Sequence, residues 1–216
     1  MSPVDLQSLA EQLVDAARRA GADGADALTS SGQSISIDMR GGTLEQADRA
    51  EGVEIGLRVL VGGRQACVSA SDHSPATIAN MAERAVAMAR EAPVDDMLGL
   101  ADPDQLARQR DANGLQIADD RPDPSPDHLQ DLALRAEAAA RDVPGISQVE
   151  SANAGFSRRQ LWLAASNGFS GGYARTTHAI SAVAITGEGL GMERDYAGES
   201  RVWPEDLPAP EEIGRL

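Results

Sequence analysis

At 216 residues with 42% hydrophobic side chains, the chain is long enough to bury a core without metal or disulfide support, as one domain or two small ones. Its net charge is −15 and all nineteen basic residues are arginine, which leaves no basic face for nucleic-acid phosphates and no polybasic patch for a membrane surface. Cys67 is the only cysteine, so an intrachain disulfide is excluded, and the acidic excess reads as solvated surface.

The first helix is expected from Leu6, Leu9, Ala10, Leu13, Val14 and Ala17, with Ser2 as N-cap, Pro3 at the first helical position and Gly21 as its end. No basic segment followed by an apolar stretch opens the chain, and no run reaches transmembrane length, so a cytoplasmic protein is expected. Ile35, Ile37 and Met39 then alternate before a turn at Gly41-Gly42. Val53 to Val61 alternate in turn, and Gly62-Gly63 leads into Arg64 to Ala70, an antiparallel meander with one buried face. Cys67 falls in that second strand and is assigned to its buried side as a structural thiol.

Ser74-Pro75 and Ser125-Pro126 mark the starts of two further amphipathic helices, the second ending near Asp142. Between them, Ala92 to Pro124 is rich in Asp and Pro and reads as a long surface connection with one short helix near Gln105 to Arg110. Strands are expected at Ser147 to Ala154, Gln160 to Ala165, Tyr173 to Ile185 and Met192 to Ser200, with turns at Ser166-Asn167-Gly168 and Gly187-Glu188-Gly189. Helix followed by strand meander thus occurs twice, a weak sign of duplication. Strands joined by hairpins and interleaved with helices give the fold class α+β: antiparallel β meanders packed with amphipathic helices. With aromatics at 3%, Ala, Val, Leu and Ile must fill the interior, which favours helices lying close on a sheet.

The chemistry-bearing residues are scattered. His73 precedes a helix cap, His128 lies in a first helical turn and His178 is in mid-strand, each expected to be a surface or satisfied histidine and none with metal-ligand spacing. Gly41-Gly42, Gly62-Gly63 and Gly171-Gly172 join strand to strand as hairpin turns, so none forms a phosphate cradle ahead of a helix. Ser69, Ser71 and Ser74 have no neighbouring base. In Met192-Glu193-Arg194-Asp195-Tyr196, strand alternation puts Glu193 and Asp195 on one face and Arg194 and Tyr196 on the other, as either an exposed edge strand or the lining of a polar groove.

The chain resembles the N-terminal half of the PmbA/TldE-type members of the TldD/PmbA family. The resemblance rests on Gly56-Leu57-Arg58-Val59, Ser69-Ala70-Ser71-Asp72, Ser166-Asn167-Gly168-Phe169 and Met192-Glu193-Arg194-Asp195-Tyr196, in that order along essentially the whole chain. It implies an N-terminal α+β domain over residues 1–203, with 204–216 as linker and truncated start of the helix leading to a C-terminal domain. It also implies a cytoplasmic heterodimeric zinc peptidase that matures peptides and degrades unfolded polypeptides, under the older label of a modulator of DNA gyrase. In that scheme the zinc belongs to a TldD-like partner subunit and this chain holds no cofactor, no metal ligand and no catalytic residue. Its expected partners are the TldD-like subunit and an extended peptide or unfolded polypeptide, without direct nucleic-acid or membrane contact. Arg58, Asn167, Arg194 and Asp195 are the candidate residues for a peptide groove. The competing reading is an interaction or scaffold module with no peptidase role.

Overall fold

The computed structural model describes residues 4–216. Helix α1 spans Leu6–Arg19 and is capped by Asp5, whose carboxylate accepts from the Ser8 amide. The expected cap at Ser2 and Pro3 lies outside the described residues. Gly21 has φ of +98°, the left-handed conformation that ends a helix at low cost to a residue without Cβ. Helix α2 (Pro75–Glu91) and helix α3 (Pro126–Arg141) begin as their Ser-Pro pairs predict, with Ser74 and Ser125 accepting from the amides of Thr77 and His128. A short helix, α4, covers Pro210–Arg215.

Six strands form one sheet: β1 (Gly24–Arg40), β2 (Thr43–Val61), β3 (Arg64–Ala70), β4 (Ile146–Ala165), β5 (Ser170–Thr186) and β6 (Glu193–Arg201). Their order across the sheet is β3-β2-β1-β4-β5-β6. The outer pairs are antiparallel, with Ile55 opposite Ala70 through Val61 opposite Arg64, and His178 opposite Arg201 through Thr186 opposite Glu193. The element order helix, three strands, helix occurs twice, so the repeated pattern read from the sequence is present at the level of elements. The fold is α+β, as expected.

Strands of 17, 19, 20 and 17 residues in β1, β2, β4 and β5 greatly exceed the usual ~5–6. Each contributes to two compact units. Unit 1 takes 4–32, 52–115 and 159–174, and unit 2 takes 33–51, 116–158 and 175–216. In unit 1, Leu13 and Val14 of α1 and Met81, Ala85 and Ala89 of α2 pack on Ala25, Ala27, Ile55, Leu57 and Val59. In unit 2, Leu129, Ala133 and Ala136 of α3 and Ile213 of α4 pack with Ile37, Met39, Phe156, Ile180 and Ala182. Alanine dominates the helix faces, which lets backbone lie close to backbone. Gly214 shows how close: a Cβ there would stand 2.2 Å from the Ala136 carbonyl oxygen.

Several sequence expectations are corrected. Ser147 to Ala154 and Gln160 to Ala165 are two ends of one strand, β4. Gly171 and Gly172 lie inside β5 and form no turn; a Cβ on Gly172 would come within 2.3 Å of the Leu161 carbonyl oxygen, so the glycine answers to a close cross-strand approach. The short helix is a single 3₁₀ turn at Pro103–Gln105, upstream of the expected place. Cys67 is exposed, because Ala66, Val68 and Ala70 take the core side of β3 and strand alternation turns residue 67 outward.

Candidate functional site

In unit 1, Arg58 lies on β2 between Leu57 and Val59, whose side chains enter the core, so its own side chain points to the opposite face. There it donates from Nε to Asp26 Oδ2 at 2.9 Å, with a second donation from Nη2, and this pairing raises the guanidinium pKa further. Both members are partly buried, so Arg58 is held by Asp26 through two of its five N–H donors. Asn167 sits in the β4–β5 hairpin, where Nδ2 donates to the Ala101 carbonyl at 2.9 Å and Oδ1 accepts from the Phe169 amide at 3.2 Å. It borders a shallow recess of about 410 Å³ with Asp23, Gly24, Leu60, Leu98 and Leu100. Arg58 does not line this recess, so the structure does not bring these two candidates to one site.

In unit 2, Arg194 and Asp195 lie on β6, the edge strand opposite Ile185 and Ala184. All four residues from Glu193 to Tyr196 are exposed. Arg194 pairs with Glu150 of β4, and Asp195 Oδ1 accepts from the Tyr196 amide at 2.8 Å. The edge-strand reading therefore holds, and one of its charges is occupied by an ion pair.

Sequence reading missed a buried polar cluster in unit 2. Asp119 is only 4% exposed although it sits in the segment expected to run over the surface. Its amide donates to Thr176 Oγ1 at 2.8 Å, and the Thr176 amide donates to the Ile117 carbonyl, so residues 117–119 are tied to β5. Arg121 closes back on the Asp119 carboxylate, with Nε 2.9 Å from Oδ1, Nη2 2.9 Å from Oδ2 and the Arg121 amide 3.0 Å from Oδ1. These donations hold the Asp119 carboxyl below the usual carboxylate range, and Arg121 does the same to Glu205 at 2.7 Å. Arg158 ties down the same segment through the carbonyls of Asp119 and Arg121 and the carboxylate of Asp123.

His178 completes the cluster at 8% exposure, its ring centroid 4.9 Å from that of Phe156. Nε2 is buried without a hydrogen-bond partner, 3.7 Å from Asp119 Oδ2 and so beyond hydrogen-bond reach. Burial pushes the imidazole pKa down; the attraction of Asp119 and Glu205 is opposed by Arg121 and Arg158. His178 is thus a neutral interior histidine, neither at the surface nor satisfied as expected. Beside it opens a recess of about 430 Å³ lined by Leu129, Leu132, Ile180, Leu207 and Pro210. The only sequence signal for this cluster was Asp119 three residues ahead of the Pro122-Asp123-Pro124 run, and its burial depends on contacts far along the chain.

Among the described residues, no group of three His, Cys, Asp or Glu side chains is placed to hold a metal ion. Beside His178, the Arg121 guanidinium engages both oxygens of Asp119 and one oxygen of Glu205, so these carboxylates are arranged as an ion-pair network and not as a zinc ligand set.

The family description "PmbA/TldA metallopeptidase domain 1" matches residues 25–89, and "PmbA/TldA metallopeptidase central domain" matches residues 119–216. The chain belongs to the PmbA/TldD family. It is 32% identical over 193 residues to the metalloprotease PmbA of Escherichia coli O157:H7, covering 89% of this chain and 42% of that protein. It is 30% identical over 224 residues to a metalloprotease PmbA homolog of Haemophilus influenzae, covering 98% and 48%. The chain therefore spans about half the length of the curated PmbA relatives it matches. In fold it is similar to a protein of Bacteroides thetaiotaomicron described as a modulator of DNA gyrase, with TM-score 0.83 and 23% identity over 100% of this chain and 49% of that one. It is also similar to TldE of Thermococcus kodakarensis, with TM-score 0.75 and 16% identity over 95% and 45%. No described helix is long and apolar enough to cross a membrane.

Proposed function

We propose that this chain is the N-terminal portion of a PmbA/TldE-like, non-catalytic subunit in a zinc metallopeptidase complex that matures peptides and degrades unfolded polypeptides. A TldD-like subunit supplies the zinc, and this chain supplies sheet surface for an extended peptide. Membership of a metallopeptidase family along both matched stretches carries the peptidase part of this reading. The non-catalytic part is supported by Arg121, whose guanidinium already engages Asp119 and Glu205, the carboxylates that act on His178. Edge strand β6 suits extended polypeptide because main-chain hydrogen bonds along a sheet edge bind without demanding a particular sequence, with Arg194, already paired to Glu150, and Asp195 beside the backbone. A cytoplasmic location and a heterodimer belong to the same proposal.

The test is co-expression with the TldD-like protein of the same organism, followed by affinity purification, metal analysis and cleavage of an unfolded casein. Zinc and chelator-sensitive cleavage in the pair, and neither in this chain alone, are expected. One equivalent of zinc with hydrolysis by this chain alone would overturn the reading. Recovery of other partners without a zinc protein would favour a scaffold role.

A further inference from the structure

The edge of β2 is only partly covered. β3 pairs with β2 from Ile55 to Val61 and ends at Ala70, so Thr43–Glu54 has β1 on one side and no strand on the other among the described residues. Within unit 2, every residue of β2 from Thr43 to Glu51 is exposed, on both faces. A strand whose outer main-chain groups and both side-chain faces meet water is a template for another strand.

The order of charges on this edge selects the partner. Glu45, Ala47, Arg49 and Glu51 share one face by strand alternation. When two copies of the edge run antiparallel about a twofold axis at Ala47, Glu45 of each faces Arg49 of the other, Gln46 faces Asp48 and Leu44 faces Ala50. Opposite charges directly across an antiparallel pair are favourable, and like charges are not. Moving the axis one residue on, to Asp48, sets Asp48 against Asp48 and Glu45 against Glu51. Charges on an exposed edge ordinarily oppose pairing. Here they oppose a neighbouring register and favour the one at Ala47.

We propose that the Thr43–Glu51 edge of β2 is a self-association surface, and that two copies of this chain pair there antiparallel about Ala47 to continue the sheet from one molecule into the next. The contact is isologous, as a twofold dimer requires. A single strand pair buries less than the ~1,200 Å² of a stable interface, so the dimer is weak and concentration-dependent. Because Glu45–Arg49 pairs are exposed at its edges, salt weakens it.

Sedimentation equilibrium of this chain from low to roughly millimolar concentration reads the association directly, and it is independent of any peptidase activity. The average mass is expected to rise toward two chains, and less so in high salt. Arg49→Glu places like charges opposite one another and should hold the mass at one chain, while Glu45→Arg with Arg49→Glu restores the pairs and the association. Gln46→Pro, which removes a main-chain donor from the open edge beside the axis, should also abolish it. Circular dichroism checks that each variant is folded. A wild-type chain that stays at one mass throughout, or a dimer indifferent to Arg49→Glu and to Gln46→Pro, overturns the proposal.

Discussion

Asp119→Ala perturbs the cluster around β5 at its most buried charge. The carboxylate accepts four hydrogen bonds from Arg121, three from the guanidinium and one from the amide, at 2.9 to 3.1 Å. A hydrogen bond to a charged group contributes about 1.5–3 kcal/mol, and breaking a fully buried ion pair costs about 3–5 kcal/mol. The Arg121 side chain is 47% exposed and keeps Glu205, so it can return to water, which places the expected loss near the lower range, about 2–3 kcal/mol. For a chain of this length that lowers Tm by roughly 4–12 °C. The pH dependence separates the two buried groups. Asp119 has a lowered folded-state pKa, so its contribution is present above ~4 and is lost as pH falls through the folded value. His178 also has a lowered pKa: between the folded value and ~6.5 the unfolded chain binds a proton that the folded chain refuses. Stability must therefore fall as pH drops below ~6.5, by at most about 1.4 kcal/mol per pH unit from this group. Urea unfolding followed by circular dichroism from pH 8 to 3.5 tests this. Asp119→Ala should lose the most acidic limb and keep the limb just below 6.5, whereas His178→Gln should lose the latter. An Asp119→Ala protein within about 0.5 kcal/mol of wild type at pH 7 would refute the assignment of Arg121 and Asp119 as a stabilising buried pair.

Gly172→Ala should destabilise by about 1–3 kcal/mol or more, because the added Cβ would lie 2.3 Å from the Leu161 carbonyl oxygen and 2.4 Å from the Trp162 ring; thermal melting that leaves Tm unchanged would contradict the close approach. Cys67, being exposed, should react with one equivalent of a thiol reagent in the native protein at a rate close to that in urea, and protection until unfolding would return it to the core. Limited proteolysis should cut first between Pro93 and Gln116 and spare 117–124, which Thr176 and Arg158 tie down; first cleavage at Arg121 would count against that anchoring.

Local signals in the sequence located the starts of α2 and α3 and the end of α1, while α1 itself begins at Leu6 under an Asp5 cap and not at the expected Ser2-Pro3. Ser74-Pro75 and Ser125-Pro126 supply a side-chain acceptor and a fixed φ where the helix needs them, and Gly21 supplies the left-handed end. Alternation likewise marked the core side of β2 at Ile55, Leu57 and Val59. The same rule failed at Cys67, since alternation says which residues share a face but leaves the choice of face to the partner element, here α2 and its apolar stripe. Gly171-Gly172 failed for a related reason: a glycine pair has the same sequence signature in a turn and at a point where backbone meets a tryptophan ring.

The candidate site was the least legible. Arg58, Asn167, Arg194 and Asp195 came from family-like blocks, and tertiary structure alone decided that Asp26 takes Arg58 and Glu150 takes Arg194. The buried cluster of Asp119, Arg121, Thr176 and His178 joins positions up to 59 residues apart, bridging the irregular segment and β5. Composition and periodicity fixed the fold class and the starts of α2 and α3, because each rests on neighbours along the chain. Which polar groups leave water, and what compensates them, depends on neighbours in space, and these exist only once the sheet has formed.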